Sequence, residues 1–169
     1  MTKRVRIIND LPDLVPLLQI FASKREKQVF DLLTSGWYTE DELKAKLGSE
    51  EISNSLDILR ESGLLENKWR IPTAGTTPLI EYTTSYSKVR LNLQCEMEDL
   101  GDIIAISFME EDEFNQIVDE LIRCIHEGKD SITNISISEG ISPVLLKAAV
   151  KRSSKLLLKG QKLELISED

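Results

Sequence analysis

The chain is almost without the residues that most metal centres and many catalytic sites require: its 169 residues include one histidine, His126, and two cysteines, Cys95 and Cys124. Two thiols so far apart in sequence suggest neither a disulfide framework nor a cysteine metal site, so a reducing compartment is expected and both read as small buried hydrophobes. His126 closes an amphipathic helical pattern, where a positive charge suits the helix C-terminus. A phosphate-loop glycine pattern, a serine in a nucleophile turn and a spaced set of metal ligands are all missing. The expectation is a protein that is not an enzyme and that holds no metal and no cofactor. Long apolar runs are missing as well, the longest near Ile103–Met109 being strand-sized, against the roughly 18 residues that cross a bilayer. The apolar residues after Lys3, Arg4 and Arg6 are broken by Asn9, Asp10, Pro12 and Asp13, unlike a signal-peptide core, so a cytoplasmic protein with no membrane partner is expected. Positive charge is also scarce. A net charge of −8 opposes indiscriminate adhesion to nucleic acid, although a local basic face can still bind it.

What is present is patterning, and it is clearest from Thr39 to Leu65. Thr39 followed by Glu42 makes a capping box, Leu43 and Leu47 share an inner face, and Gly48 breaks the helix. Ser49 then stands where it can cap a second helix, in which Ile52, Leu56 and Leu59 recur at helical spacing until Gly63. Two helices about a glycine turn predict a helix-turn-helix, and Lys68-Trp69-Arg70-Ile71 after it predicts a strand entering a hairpin, a winged arrangement.

The flanking pattern supports this. Residues 1–10 predict a short strand around Val5–Ile8 or an arm, with Lys3, Arg4 and Arg6 suited to phosphate. A short helix is expected over Asp13–Phe21 and a stronger one, capped by Ser23, over Lys24–Thr34. Glu66–Ser87 predicts a hairpin with its loop at Thr73–Thr77, and Lys88–Glu96 alternates as a half-buried strand. Ile103–Phe108 predicts a further strand, paired across a turn at Glu98–Asp102. From Glu110 the pattern becomes a long helix ending at Gly128, then a short segment capped by Asp130 or Ser131, a helix opened by Ser142-Pro143, and a hairpin about Lys159-Gly160-Gln161. The acidic run Glu110–Glu113 reads as a complement to the helix dipole rather than as a metal site. The order of the first half thus repeats in the second. The predicted fold class is α+β, with two winged-helix-like modules in tandem over residues 13–108 and 109–169; one composite α+β domain is the alternative.

The string from Ile52 to Leu65, ISNSLDILRESGLL, resembles the recognition helix of ArsR-like winged-helix transcription regulators, in which Leu-x-x-Leu, a charged pair and Gly-Leu lead into the first wing strand. The resemblance covers Ser23–Arg70. It implies a DNA-binding regulator, a homodimer placing two helices in successive major grooves and acting by occlusion or recruitment at a promoter. It also implies base and phosphate contacts at Ser53, Asn54, Ser55 and Asp57, types that fit groove edges and phosphate, and phosphate contacts at Lys68 and Arg70. The metal sensors of that family use cysteine pairs in this helix. This helix has none, so metal sensing does not carry over.

Charge complicates the picture. Residues 39–66 carry eight acids and three bases, a net −5, which phosphates would repel. Residues 143–169 carry six bases and three acids, and Lys147, Lys151 and Lys155 at every fourth position, with Arg152 beside them, predict a second DNA-facing stripe. The alternative to a regulator that binds double-stranded DNA is a winged-helix module that docks a protein partner, which the overall acidity favours.

Overall fold

A computed structural model describes residues 4–48, 50–73, 75 and 77–166. Lys3, the expected cap Ser49, and Ala74 and Thr76 of the expected loop lie outside the described residues. The chain divides into two compact units, Met1–Ile7 with Ile20–Leu91, and Ile8–Gln19 with Asn92–Asp169. The dividing point at 91/92, and the return of 8–19 to the second unit, differ from the 108/109 boundary expected from pattern.

The first unit contains most of β1 (Arg4–Ile8), the end of α1 (Val15–Ala22), α2 (Lys24–Ser35), β2 (Tyr38–Thr39), α3 (Glu40–Leu47), α4 (Ile52–Glu61), β3 (Leu65–Arg70), β4 (Leu79–Thr84) and β5 (Tyr86–Leu91). The expected strand near residue 5 is present. Helix α3 starts with the complete capping box: the Thr39 amide donates to Glu42 at 2.8 Å and the Glu42 amide to the Thr39 hydroxyl at 3.3 Å. It ends at Gly48, whose φ of +64° is left-handed and suits glycine because it has no Cβ. Val29, Leu33, Leu43, Ile52 and Leu59 are wholly buried, each contributing about 1.5–3 kcal/mol by burial. The strands form an antiparallel sheet in the order β2-β4-β3, with Trp69 opposite Ile80 and Lys68 opposite Glu81. β1 and β5 pair as a separate two-stranded ribbon.

The second unit contains a 3-10 turn (Leu11–Leu14), the start of α1, α5 (Met97–Phe108), α6 (Glu111–His126), α7 (Ile132–Glu139), α8 (Pro143–Arg152), β6 (Leu156–Lys159) and β7 (Lys162–Leu165). The strand expected at Ile103–Phe108 is instead the second half of α5. Its isoleucine run imitates a strand, but Ile103 and Ile106 are three apart and both fully buried, and the Ser107 hydroxyl is satisfied by the Ile103 carbonyl at 2.6 Å, which are helical relations. Glu98 and Asp99 in its first turn favour the helix N-terminus. The strand expected to run to Glu96 stops at Leu91. The core of this unit gathers Leu11, Val15, Phe114, Leu121, Ile135, Leu146 and Leu163.

The second unit follows the order of the first closely. Ser131 caps α7 through the Asn134 amide and makes a single antiparallel bridge to Lys162, as Thr39 caps α3 while its strand pairs with β4. Gly140 ends α7 at a φ of +67°. Ser142-Pro143 opens α8, its hydroxyl accepting from the Leu145 amide at 3.1 Å, and β6 and β7 close the hairpin.

Candidate nucleic-acid interface

Helix α4 buries Ile52, Ser55, Leu56 and Leu59 and turns Ser53, Asn54, Asp57, Arg60 and Glu61 outward. The expected contact residues therefore separate into two groups. Ser53, Asn54 and Asp57 share an exposed face, where Asn54 offers a donor and an acceptor in the arrangement that matches adenine. The Ser53 hydroxyl donates to Glu40, and Asp57 is paired with Arg60 at 2.7 Å. Lys44 and Ser53 both bond the Glu40 carboxylate and hold it below the ordinary carboxylate range. Ser55 is different. It is fully buried and its hydroxyl donates to the buried Glu26 at 3.0 Å, so it ties α4 to α2 and presents nothing outward.

The hairpin cations are also engaged. Arg70 forks onto Glu42 at 2.7 and 3.0 Å and reaches Glu81 through Nε at 2.7 Å. Lys68 pairs with Glu81 at 3.2 Å and stands over the Trp37 ring at 4.1 Å. The Arg70 guanidinium, aided by the Thr39 amide, lowers Glu42 to about 2, and Arg70 and then Lys68 lower Glu81. The two acids raise Arg70 in turn. A capping glutamate, a hairpin arginine and a strand glutamate thus lock the hairpin to the start of α3. Glu81 and Trp37 were not foreseeable as partners, because only the hairpin register sets Glu81 opposite Lys68. The outer part of the hairpin is apolar: Trp69 is 66% exposed and Ile71 90%.

The expected basic stripe of the second unit is not a stripe in the structure. Helix α8 ends at Arg152, so Lys155 lies beyond it. Lys151 is paired with Asp13 at 2.8 Å, and Lys147 stands 3.7 Å from Asp10. Arg152 has a side chain only 5% exposed, donating to the Ile106 carbonyl at 2.7 Å and to Glu111 at 3.1 Å above the Phe114 ring. It belongs to the packing of the unit. The pattern at every fourth residue holds for Lys147 and Lys151 but not for Lys155, and it does not reveal their acid partners, since Asp10 and Asp13 are distant in sequence.

Among the described residues no group of three or more His, Cys, Asp or Glu side chains is placed to hold a metal ion, and no helix is long and apolar enough to cross a membrane. Cys124 is buried, and burial raises its thiol.

A family model for ArsR transcriptional regulators matches residues 8–167. The chain belongs to the ArsR family of transcriptional regulators, and the match runs through both units, well beyond the stretch 23–70 that carries the resemblance in sequence. Comparison with curated proteins finds no match.

Proposed function

We propose that the protein is a cytoplasmic transcription regulator that binds double-stranded DNA as a homodimer, with two winged-helix modules in each chain. The first unit reads the major groove with the exposed face of α4, through Ser53, Asn54 and Asp57. The observation that carries this reading is the division of labour on α4: one face supplies the core, and the other is polar, exposed and free of large apolar side chains. Membership of a regulator family supports it. Lys68 and Arg70 stay with Glu42 and Glu81 and position the hairpin, so phosphate contact by either costs an existing ion pair. Among Lys147, Lys151, Arg152 and Lys155, only Lys155 is both exposed and without an ion pair among the described residues, so the second unit contributes little phosphate binding.

Selection of bound sequences from a random pool of duplexes, combined with the mass of the protein and its complex in solution, tests the reading. Recovery of a two-half-site sequence by a dimer is expected. Complete absence of retardation at low salt would move the assignment to the second reading, a module that docks a protein partner, which the exposed Trp69 and Ile71 of the hairpin favour.

A further inference from the structure

Strands β1 and β5, RVRII and YSKVRL, carry four cations and no acid in a chain whose net charge is −8. Successive side chains on a strand point to opposite faces, so Arg4 and Arg6 share one face of β1 while Tyr86, Lys88 and Arg90 share one face of β5. Both guanidinium groups lie against the Tyr86 ring, 5.9 and 6.0 Å from its centre, which brings the two sets to the same side of the ribbon. Val5, Ile7, Val89 and Leu91 take the opposite side.

Ion pairing distinguishes this face from the hairpin cations and most of the helix cations of the first unit, Lys24 and Lys46 being the others that hold no acid among the described residues. Lys44, Arg60, Lys68 and Arg70 each hold an acid. Arg6 instead donates to a neutral group, the Ser62 carbonyl, at 2.9 Å, and Lys88 and Arg90, both exposed, hold no acid among the described residues. Arg4 alone of the four is paired, with Glu66. Position is the second distinction: the Arg6–Ser62 bond fixes the ribbon at the C-terminal end of α4, beside an open cleft of about 450 Å³ lined by Arg6, Ser62, Gly63 and Tyr86.

We propose that the β1–β5 ribbon is a phosphate-contacting surface for double-stranded DNA, gripping the backbone beside the groove that α4 enters. The proposal rests on the reading of the chain as a DNA-binding regulator and names the source of affinity that the acidic α3–α4 surface cannot supply. Arg6 and Arg90 present guanidinium forks that match phosphate oxygens, and Lys88 acts as a point charge. Each cation that neutralises a phosphate releases bound counterion, so removing one lowers the slope of log affinity against log salt by about 1.

The test uses the full chain with random-sequence 30-bp duplexes, at several salt concentrations, comparing wild type with Lys88→Gln/Arg90→Gln and with a control, Lys129→Gln/Lys159→Gln, that removes the same charge from the second unit. Both substituted strand residues are exposed, so folding is expected to be unaffected, and circular dichroism checks it. The expected result is a slope lower by about 2 and affinity lower by about tenfold for the ribbon variant alone. Equal behaviour of ribbon variant and wild type, with the wild type binding, would overturn the ribbon and leave the regulator reading intact. So would equal losses in the ribbon variant and the control, which would mark a general charge effect. Failure of the wild type to bind duplex, with retention on immobilised polyglutamate, would overturn both and assign the ribbon to an acidic protein.

Discussion

The two units place the same succession of elements in different surroundings. In each, a long helix leads to a capped short helix, a left-handed glycine, a further helix and a hairpin: α2, α3, Gly48, α4 and β3–β4 in the first, α6, α7, Gly140, α8 and β6–β7 in the second. Yet α4 keeps five exposed side chains on its outer face, Ser53, Asn54, Asp57, Arg60 and Glu61. Helix α8 is packed against α5 and the 3-10 turn, leaving Pro143 and Lys151 as its only exposed residues, and Lys151 is held by Asp13. The element order alone does not leave a helix face open to solvent. What decides is whether other segments of the unit cover the helix, and in the second unit Leu11–Leu14 and α5 do.

The sharpest way to break this contrast is at Arg152. If α8 is an interior element, Arg152→Glu places an acid beside Glu111 and leaves the Ile106 carbonyl unsatisfied, and the second unit should lose about 3–5 kcal/mol in denaturant unfolding. An unchanged unfolding midpoint would mean that Arg152 is a surface residue after all. On α4 the inside and outside faces should respond separately. Ser55→Ala strips the buried Glu26 of its hydroxyl partner and should cost about 1–3 kcal/mol, whereas Asn54→Ala should alter stability by less than about 0.5 kcal/mol. Because Gly48 and Gly140 occupy the same place in the two units at nearly the same φ, Gly→Ala at either should cost about 1 kcal/mol; a large inequality would mean the two turns are not equivalent.

The smallest expected effect concerns pH. Glu42 is held down to about 2 by Arg70 and the Thr39 amide, against an ordinary value of 4.5. A carboxylate depressed by folding stabilises the fold fully above its unfolded value, and that contribution disappears as pH falls from about 4.5 toward 2. The unfolding midpoint of the first unit should therefore fall across this window, and Glu42→Gln should remove part of the dependence. The carboxylate is well exposed, so solvent screening keeps the effect modest.

Much of the first unit is legible in its residues, because its signals are local. Thr39 with Glu42 and the apolar spacing in α4 specify geometry within a few residues, and the structure contains both. The order of the second unit was legible for the same reason, from Gly128, Ser131, Gly140 and Ser142-Pro143. What local pattern cannot convey is the partner of a surface charge. Lys147 and Lys151 read as solvent-facing, but Asp10 and Asp13 lie more than a hundred positions earlier in the chain. For Ser55 the family resemblance implies an outward contact, while its bond to Glu26 depends on how α2 and α4 cross. The second half of α5 reads as a strand in sequence because isoleucines suit either a strand or a buried helix, and periodicity over six residues does not separate the two. Lys88 and Arg90 were visible only as the polar half of an alternating strand, since their company with Arg4 and Arg6 exists only once β1 and β5 pair.

On the proposed reading, the outward face of α4, and not α8, meets DNA. That reading is tested most directly by measuring affinity for a selected duplex with Asn54→Ala and Lys151→Gln side by side. Asn54→Ala is expected to weaken binding by about tenfold or more and to relax discrimination at one base position, while Lys151→Gln leaves affinity unchanged. Undiminished binding by Asn54→Ala together with a clear loss in Lys151→Gln would contradict it.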